Sequence, residues 1–278
     1  MIELGKQNRL NVIRQTDEGL VLVGDPKEEI LLPTTNYEGN FKIGDIINVF
    51  VYRDQNEKKV ATMVIPKITL HEFAFLQVAS ITKVGAFLDW GLEKNLLIPF
   101  SEQQQELKEG RWYIVYLDID EATDRLFAST YIERQLQNIH ITVKESEAVD
   151  LLVFQRTDLG YSVIVNNEHK GLVFENEIFT TIKIGDLIKG YVKKIREDNK
   201  LDISLQPLGY KKSIDVNNSL IYRALMENNG YLPVTDKSSP EEIKSLFGLS
   251  KKAFKKSIGA LYKQKKIVIE DSGIKVLN

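Results

Sequence analysis

The feature that most constrains the fold of this chain is an internal repeat. When the 278 residues are aligned on their glycines, one register holds through three copies, with offsets of 66 and then 75 residues. The coinciding sets are Leu10, Leu76 and Leu151; Val12, Val78 and Val153; Gly19, Gly85 and Gly160; Leu22, Leu88 and Val163; Gly44, Gly110 and Gly185; and Val60, Leu126 and Leu201. A register without internal shifts indicates that one structural unit is used three times.

Each copy consists of short runs with the composition of β-strands. In the middle copy these runs are FLQVASITKV, AFLDWG, NLLIPF, WYIVYLDID and RLFAST. Their Val, Ile, Leu, Phe and Tyr residues are those enriched in strands. Five strands in so small a unit suit a closed barrel, which leaves no exposed strand edge. The repeated glycines fall where a tightly coiled strand needs a bend or a bulge.

The periodicity changes in the last quarter of the chain, where helices replace strands. We expect Asn218 to cap a helix that Gly230 ends. A second helix begins after Ser239, with proline at its first position and acids in its first turn, and stops near Gly248. Ser250 then caps a third helix, and a hairpin follows it. Three helices followed by a two-stranded wing is the winged-helix order.

The predicted fold is therefore mostly β, with three tandem five-stranded barrels and a small α+β C-terminal domain. The expected boundaries are 1–66, 67–140 and 141–207 for the barrels and 208–278 for the winged helix. The segment 131–149 carries no strand pattern and several charges. We expect it to link the second and third barrels, partly as a helix.

Net charge separates the barrels from the C-terminal domain. The formal charge of the chain is −2, but 13 Lys and Arg face 7 Asp and Glu from Pro207 onward, against 24 and 32 before it. Attraction of phosphate to the acidic barrels therefore has to come from local patches. The absence of cysteine excludes disulfides and thiolate chemistry. Without a long apolar run or a secretory leader, we expect a cytoplasmic protein with no membrane contact.

All three copies carry motifs of a known module. In the middle copy VGAFLDWG, NLLIPFSEQ and RLFAS resemble the RNA-binding OB-fold module named after ribosomal protein S1. The third copy resembles it at GLVFENEIF, IKIGDLIKGYV and KLDIS, and the first mainly at FKIGDIINVFV, so that the first copy is the most divergent. Three such modules with a winged helix resemble the conserved virulence factor B family of Gram-positive bacteria over essentially the full chain. The resemblance implies RNA binding and effects on virulence-gene expression.

In the family pattern of the module, two aromatic residues flank a Gly-Ala pair and a histidine follows on the next strand. The corresponding residues are Val84, Phe87 and Pro99 in the second copy, Val21 and Pro33 in the first, and Ser162 and Phe174 in the third. Only Phe87 and Phe174 keep a ring. The resemblance therefore implies an incomplete stacking platform in every copy.

The second copy is the best candidate for RNA contact by its aromatic residues. It contains Phe87, Trp90 and Tyr116, near Lys83 and Arg125. OB-type barrels bind single strands by stacking bases on exposed rings beside a groove that attracts phosphate. The alternative is that Phe87 and Trp90 belong to the barrel core or to a contact between domains.

A second candidate surface follows from alternation along the fourth strand of the third copy. Lys189, Tyr191 and Lys193 should share one face, because side chains alternate along a strand. The cations that follow are Lys194, Arg196 and Lys200. Phe50 and Tyr116 occupy the register of Tyr191 in the other copies. Interleaved rings and cations suit RNA, whereas the alternatives are a solvated face or a ring that packs against the neighbouring barrel.

The third helix of the C-terminal domain has a basic face opposite its apolar one. The basic residues are Lys251, Lys252, Lys255 and Lys256. None of them is Arg, Asn or Gln, the usual readers of base edges. We expect phosphate contact without sequence specificity, with a solvated structural helix as the alternative.

No catalytic constellation is present in the sequence. His71, His140 and His169 lack ligand-like spacing, and phosphate-binding glycine motifs are absent. We expect a non-enzymatic protein without cofactor or metal, with single-stranded RNA as its partner. Two alternatives stay open: a DNA-binding regulator that acts through the winged helix, and an interaction scaffold on the ribosome or RNA polymerase.

Overall fold

The computed structural model of the chain describes residues 2–175, 178, 181–207 and 212–277. Part of the GLVFENEIF motif lies outside these residues. The chain divides into two compact units, Met1–Pro207 and Leu208–Asn278. The first unit contains the three barrels, and the second contains the winged helix. The boundaries expected at 66 and 140 lie within the first unit and stay predictions.

The first barrel is closed. Its strands are β1 (Gln7–Thr16), β2 (Gly19–Val23), β3 (Glu29–Pro33), β4 (Ile46–Arg53) and β5 (Lys59–Thr62), and a 3-10 helix covers Thr34–Asn36. They pair in the order β1-β2-β3-β5-β4. The contact between β3 and β5 is parallel, at Leu31 and Val60. It closes the sheet and removes its free edges.

The second barrel has the same strand arrangement but an incomplete ladder. Its strands are β6 (Phe73–Thr82), β7 (Gly85–Asp89), β8 (Leu96–Pro99), β9 (Trp112–Asp120) and β10 (Arg125–Ser129), with a 3-10 helix at Phe100–Glu102. The order is β10-β9-β6-β7-β8. Within residues 67–140, all of which are described, β8 and β10 lie side by side without a hydrogen-bonded ladder.

The third barrel is closed like the first. A short helix, α1 (Ile132–Gln135), precedes its strands. These are β11 (Ala148–Thr157), β12 (Gly160–Val165), β13 (His169–Phe174), β14 (Leu187–Ile195) and β15 (Leu201–Ser204). The parallel contact of β13 with β15 runs from Gly171 and Leu201 to Val173 and Ile203. The prediction of three five-stranded barrels is confirmed.

The repeated glycines explain why the register is so strict. Gly19, Gly85 and Gly160 all have φ between 145° and 150°. A side chain at any of them would drive its Cβ into a carbonyl oxygen of the next strand. Only glycine combines this backbone conformation with so close an approach. The N–H groups of Gly44, Gly110 and Gly185 also share one role, since each donates to the first strand of its barrel at 2.8 Å.

The barrels of the first unit pack on one another through their fourth strands. Phe50 of β4 is fully buried and meets Trp90 of the second barrel edge-on, with 5.8 Å between ring centroids. Tyr52 meets the same indole at 6.3 Å. Both rings belong to the core that fills the second barrel. We call this contact the first joint.

The contact between the second and third barrels, the second joint, uses the equivalent ring. Tyr116 lies at the register position of Phe50 and packs on Phe73 at 4.8 Å. The buried cluster around them consists of Phe73, Ile114, Ile132, Leu152 and Ile164. The Asn167 side chain donates to His71 O and accepts from Phe73 N–H, both at 2.9 Å. Phe50 therefore packs against the neighbouring barrel, while Tyr116 packs on Phe73 of its own barrel, beside the cluster that both barrels supply.

A buried histidine fastens the segment after α1 to the third barrel. His169 Nδ1 lies 2.7 Å from Gln137 O, and Nε2 lies 3.1 Å from Thr142 N. Because a carbonyl oxygen only accepts, Nδ1 carries the proton and Nε2 accepts from the Thr142 amide. The His169 side chain is completely buried, so both bonds are shielded from water.

We expect His169→Ala to lower the stability of the third barrel by about 2–4 kcal/mol, because it leaves a cavity and two unpaired backbone groups. Thermal unfolding and amide hydrogen exchange at Thr142 measure the effect. His140→Ala, at an exposed position, is the matched control. Equal exchange at Thr142 in both variants would contradict the assignment.

The C-terminal unit contains α2 (Lys212–Glu227), β16 (Tyr231–Leu232), α3 (Pro240–Phe247), α4 (Lys251–Lys263), β17 (Ile267–Glu270) and β18 (Gly273–Val276). Ser239 Oγ accepts from Glu242 N at 3.1 Å, and Ser250 Oγ accepts from Ala253 N at 3.2 Å. These two predicted caps are confirmed. The sheet order is β16-β18-β17, so a short third strand joins the predicted hairpin.

The predicted cap at Asn218 is wrong. The helix already begins at Lys212, so Asn218 lies inside α2. Its side chain is buried, and neither amide atom has a hydrogen-bond partner among the described residues. Asn218 falls three residues before Ile221 and seven before Leu225, which are both core residues, and therefore lies on the apolar face of the helix.

Candidate nucleic-acid interface

A cleft of about 460 Å³ lies on the outer face of the second barrel, beside the first joint. Strands β7, β8 and β10 form its floor, and the turn between β4 and β5 of the first barrel forms one wall. The cleft exists because the first joint holds that turn against the second barrel. We call it the joint cleft.

The floor of the joint cleft is a row of apolar side chains. Alternation places Phe87, Leu97, Pro99 and Phe127 on the outside, where all four are half-buried. Phe87 and Leu97 are direct neighbours across β7 and β8. Residues between them in sequence, such as Leu88, point inward and are fully buried. Two aromatic rings and two aliphatic side chains thus form a surface on which flat apolar groups can lie.

Cations surround one acid at the edge of this floor. Glu57, at the β4–β5 turn, lies 2.7 Å from Lys94 Nζ and 3.4 Å from Arg125 Nε. Arg53 Nη1 donates to the main-chain oxygen of Glu57 at 2.8 Å. The hydrogen bond from Lys94, assisted by the charges of Arg125 and Arg53, holds the pKa of Glu57 below its ordinary value, although partial burial opposes the shift.

A second acid of the cleft, Asp120, accepts hydrogen bonds from the backbone. Asp120 Oδ1 accepts from the N–H groups of Ala122 and Thr123, at 3.0 and 2.9 Å. The hydrogen bonds from Thr123 are the main reason that the pKa of Asp120 is lowered. Asp120 therefore shapes the β9–β10 turn, next to Arg125.

Of the residues predicted in the second copy, the cleft brings together Phe87 and Arg125. Trp90, which was predicted to contact RNA, is buried instead. Its side chain is only 3% exposed, and its Nε1–H donates to Lys94 O at 2.6 Å. It supports the cleft from below and offers no face to a base.

Lys83 and Tyr116 do not line the cleft. Lys83 is exposed in the turn between β6 and β7. Tyr116 lies in the second joint, and burial, together with the charge of Asp118, raises its pKa. The ring is half-buried, and its contact with RNA stays a prediction.

Sequence reasoning missed Phe127, Leu97, Lys94 and Arg53. Phe127 follows Arg125 by two residues on β10, so alternation could have placed it on the same face. Arg53 belongs to another barrel and reaches the cleft only through the first joint. No local pattern indicates such a contribution.

The equivalent face of the third barrel places a ring beside an ion pair. The Arg196 guanidinium lies 5.6 Å from the centre of the Phe174 ring, which is within cation–π range. Its Nε and Nη2 contact Asp202 Oδ1 at 2.9 and 2.8 Å. Lys200 pairs with Asp198 at 2.7 Å. Phe174 and Arg196, predicted as parts of two different candidate surfaces, thus lie together, and a carboxylate occupies the register position of Phe127.

The predicted face of the fourth strand is partly wrong. Lys189 and Tyr191 share the outer face of β14, and Lys189 pairs with Asp150 at 2.5 Å. A bulge between Val192 and Lys194 then breaks the alternation. Lys193 is the extra residue of this bulge, and Lys194 lies opposite Asp202.

In the winged helix, the four predicted lysines divide into two pairs. Lys251 Nζ donates to Lys237 O at 3.4 Å, and Lys255 lies 3.5 Å from Asp236. These two lysines contact the loop before α3. Lys252 and Lys256 are exposed and lie one helical turn apart.

Metal binding and membrane insertion find no support in the part of the chain that the structure describes. Among these residues, no group of three or more His, Cys, Asp or Glu side chains could hold a metal ion. In the same part of the chain, none of the helices has both the length and the apolar character needed to cross a membrane.

Comparison with protein families identifies both kinds of domain. The model of the S1 domain matches residues 4–64, and that of the CvfB-like winged helix domain matches residues 219–276. The S1 match falls on the first copy, which the motifs indicate to be the most divergent. The chain is therefore a protein of S1-type nucleic-acid-binding architecture with a C-terminal winged helix.

Full-length relatives define the family. The chain is 30% identical to conserved virulence factor B of Staphylococcus epidermidis ATCC 12228 over 281 aligned residues, which cover 98% of this chain and 94% of the relative. It is 28% identical to the protein of the same name from Staphylococcus aureus USA300, with coverage of 98% and 93%. The chain belongs to the conserved virulence factor B family.

A solved structure is also similar to this chain. It is a multidomain protein with nucleic acid binding domains from Streptococcus pneumoniae TIGR4, 24% identical, with a TM-score of 0.44 and coverage of 99% of this chain and 98% of that one.

We expect Lys94→Met to move the pKa of Glu57 up toward its ordinary value, because Lys94 is the largest cause of the lowering. Carbon-13 NMR of labelled glutamate carboxyls measures this. A lowered folded pKa means that the ion pairs stabilise the joint above the unfolded pKa and that this contribution is lost as pH falls through the folded pKa. Lys108→Met, at an exposed position of the same barrel, should leave the pKa unchanged. An unchanged pKa of Glu57 in the Lys94→Met variant would contradict the assignment.

Proposed function

We propose that this protein is a non-enzymatic binder of single-stranded RNA that acts in post-transcriptional regulation, with the joint cleft as its main site. The observation that carries the proposal is the apolar row beside three cations in that cleft. Bases stack on exposed rings, and cations attract the backbone, in proteins that bind single strands. The name of the relatives points to virulence, and we propose virulence genes as the regulated set and the cytoplasm as the site of action.

The chemistry of the floor favours an unpaired strand. The faces of paired bases are covered by their neighbours in a duplex, so rings such as Phe87 and Phe127 can reach only bases that are unstacked. A base on this floor leaves its phosphates at the rim, where Arg53, Lys94 and Arg125 lie. The Phe174 and Arg196 pair of the third barrel supports a weaker second contact of the same kind.

Exposed lysines of the winged helix support a role in phosphate contact. Lys252 and Lys256 are available, whereas Lys251 and Lys255 are held by the loop before α3. Duplex DNA bound through this helix, or a protein partner on the ribosome or polymerase, is a competing function. Variants of the cleft floor and of the two lysine pairs separate these functions from RNA binding.

The first experiment removes the rings of the floor. Loss of stacking costs about 1–3 kcal/mol per base, so the double variant Phe87→Ala/Phe127→Ala should bind oligouridine about 5- to 150-fold more weakly. Fluorescence anisotropy with labelled RNA, single-stranded DNA and duplex DNA at several salt concentrations measures it. Phe100→Ala, an exposed ring outside the cleft, should bind as the unchanged protein does. Duplex DNA bound as tightly as RNA refutes the proposal.

The second experiment compares the two lysine pairs. We expect Lys252→Ala/Lys256→Ala to weaken RNA binding and to reduce the salt dependence, by a slope of about 0.7 for each phosphate that is no longer neutralised. Lys251→Ala/Lys255→Ala removes the same charge and should have the smaller effect on affinity. If the two pairs behave alike, α4 contributes only its net charge. A weakening confined to duplex DNA favours the competing function.

A further inference from the structure

We propose that the Glu57 carboxylate occupies the position of an RNA phosphate in the joint cleft, so that a bound strand has to displace it. Glu57 is then a residue that sets the affinity of the site for anions. This inference rests on the proposed function. It adds a group of the protein itself, the Glu57 carboxylate, that competes with the RNA phosphate.

The turn that carries Glu57 is rigidly built. Asp54 Oδ1 accepts from the N–H groups of Asn56 and Lys58, both at 2.9 Å. Glu57 N–H donates to Asp54 O at 3.1 Å, and Glu57 itself has a φ of 60°. A non-glycine residue in this conformation needs support from its surroundings. The turn therefore presents the carboxylate to the second barrel, and Lys94 Nζ also donates to its Asp54 O at 2.8 Å.

The carboxylate uses its two oxygens separately. Oε1 contacts Lys94 Nζ at 2.7 Å, and Oε2 lies 3.4 Å from Arg125 Nε. A backbone phosphate also presents two unesterified oxygens, and it binds the same two kinds of cation. Glu57 thus bridges two cations of the second barrel as a phosphate diester would.

The lowered pKa of Glu57 agrees with this geometry, since it reports that the cations favour an anion at this point. The anion in the free protein is supplied by the neighbouring barrel. The binding free energy that a ligand obtains from Lys94 and Arg125 is therefore reduced by the free energy needed to release Glu57.

The competition lowers the affinity of every anion that binds at this point. An anion without a base has to exchange with a carboxylate that is already held in place, and it gains little. A single strand also adds stacking on Phe87 and Phe127, which the carboxylate cannot supply. Release of Glu57 costs both kinds of ligand the same free energy, so a ligand that also stacks keeps the higher affinity.

The test is the variant Glu57→Gln, compared with Glu121→Gln. Glu121 is an exposed acid on the β9–β10 turn near the same cleft, and no ion pair to it occurs among the described residues. Both variants change the net charge equally. We expect Glu57→Gln to bind oligouridine about fivefold more tightly, as release of a surface ion pair would give. The salt slope should steepen by about 0.7, for one additional phosphate neutralised. Glu121→Gln should change both quantities less.

Two additional readouts keep the outcomes apart. Binding of heparin should tighten in Glu57→Gln by about the same factor as binding of oligouridine, because both anions have to displace the same carboxylate. The thermal midpoint should fall slightly while affinity rises, whereas a purely structural role would lower both. Affinity equal to that of Glu121→Gln, or weaker than that of the unchanged protein, overturns the inference. If Glu57→Gln tightens binding but Phe87→Ala/Phe127→Ala has no effect, the stacking site of the proposed function fails, and only the competition between Glu57 and phosphate stands.

Discussion

The first unit depends on the packing of one barrel's fourth strand against the next barrel. The side chains of Phe50 and Tyr52 project from the first barrel into the core of the second, where both contact Trp90. This contact fixes the β4–β5 turn over the outer face of the second barrel. The floor, the cations and the wall of the joint cleft all take their positions from it. An apolar contact beside the cleft thereby determines the electrostatics of the candidate site.

The two joints use one register position with different supports. Phe50 is fully buried among aromatic rings, while the Tyr116 ring packs on Phe73 and keeps part of its surface outside. The first joint adds ion pairs around Glu57, and the second adds the amide hydrogen bonds of Asn167. A repeated backbone thus carries joints of different polarity, because the residues around the shared position have diverged.

Most of the fold could be predicted from the sequence, because glycines such as Gly85 mark backbone geometry that no other residue allows. The cap at Asn218 could not be rejected locally, since the helix begins six residues earlier. Lys193 was misplaced because a bulge leaves no trace in a simple alternation. Trp90 was ambiguous, since a buried ring and a stacking ring have the same sequence pattern. Arg53 needed tertiary structure, because it reaches the cleft from another barrel.

The mixed origin of the joint cleft has a consequence for work on fragments. A fragment that starts near residue 67 retains Phe87, Phe127, Lys94 and Arg125, but it lacks Arg53 and Glu57. It also lacks the aromatic cover of Trp90, which exposes a large apolar surface. Such a fragment would bind polyanions with higher affinity than the whole chain, and its exposed apolar surface would add nonspecific binding. Affinities for polyanions measured on single barrels would therefore exceed that of the whole chain. They would miss the competing carboxylate that the neighbouring barrel supplies.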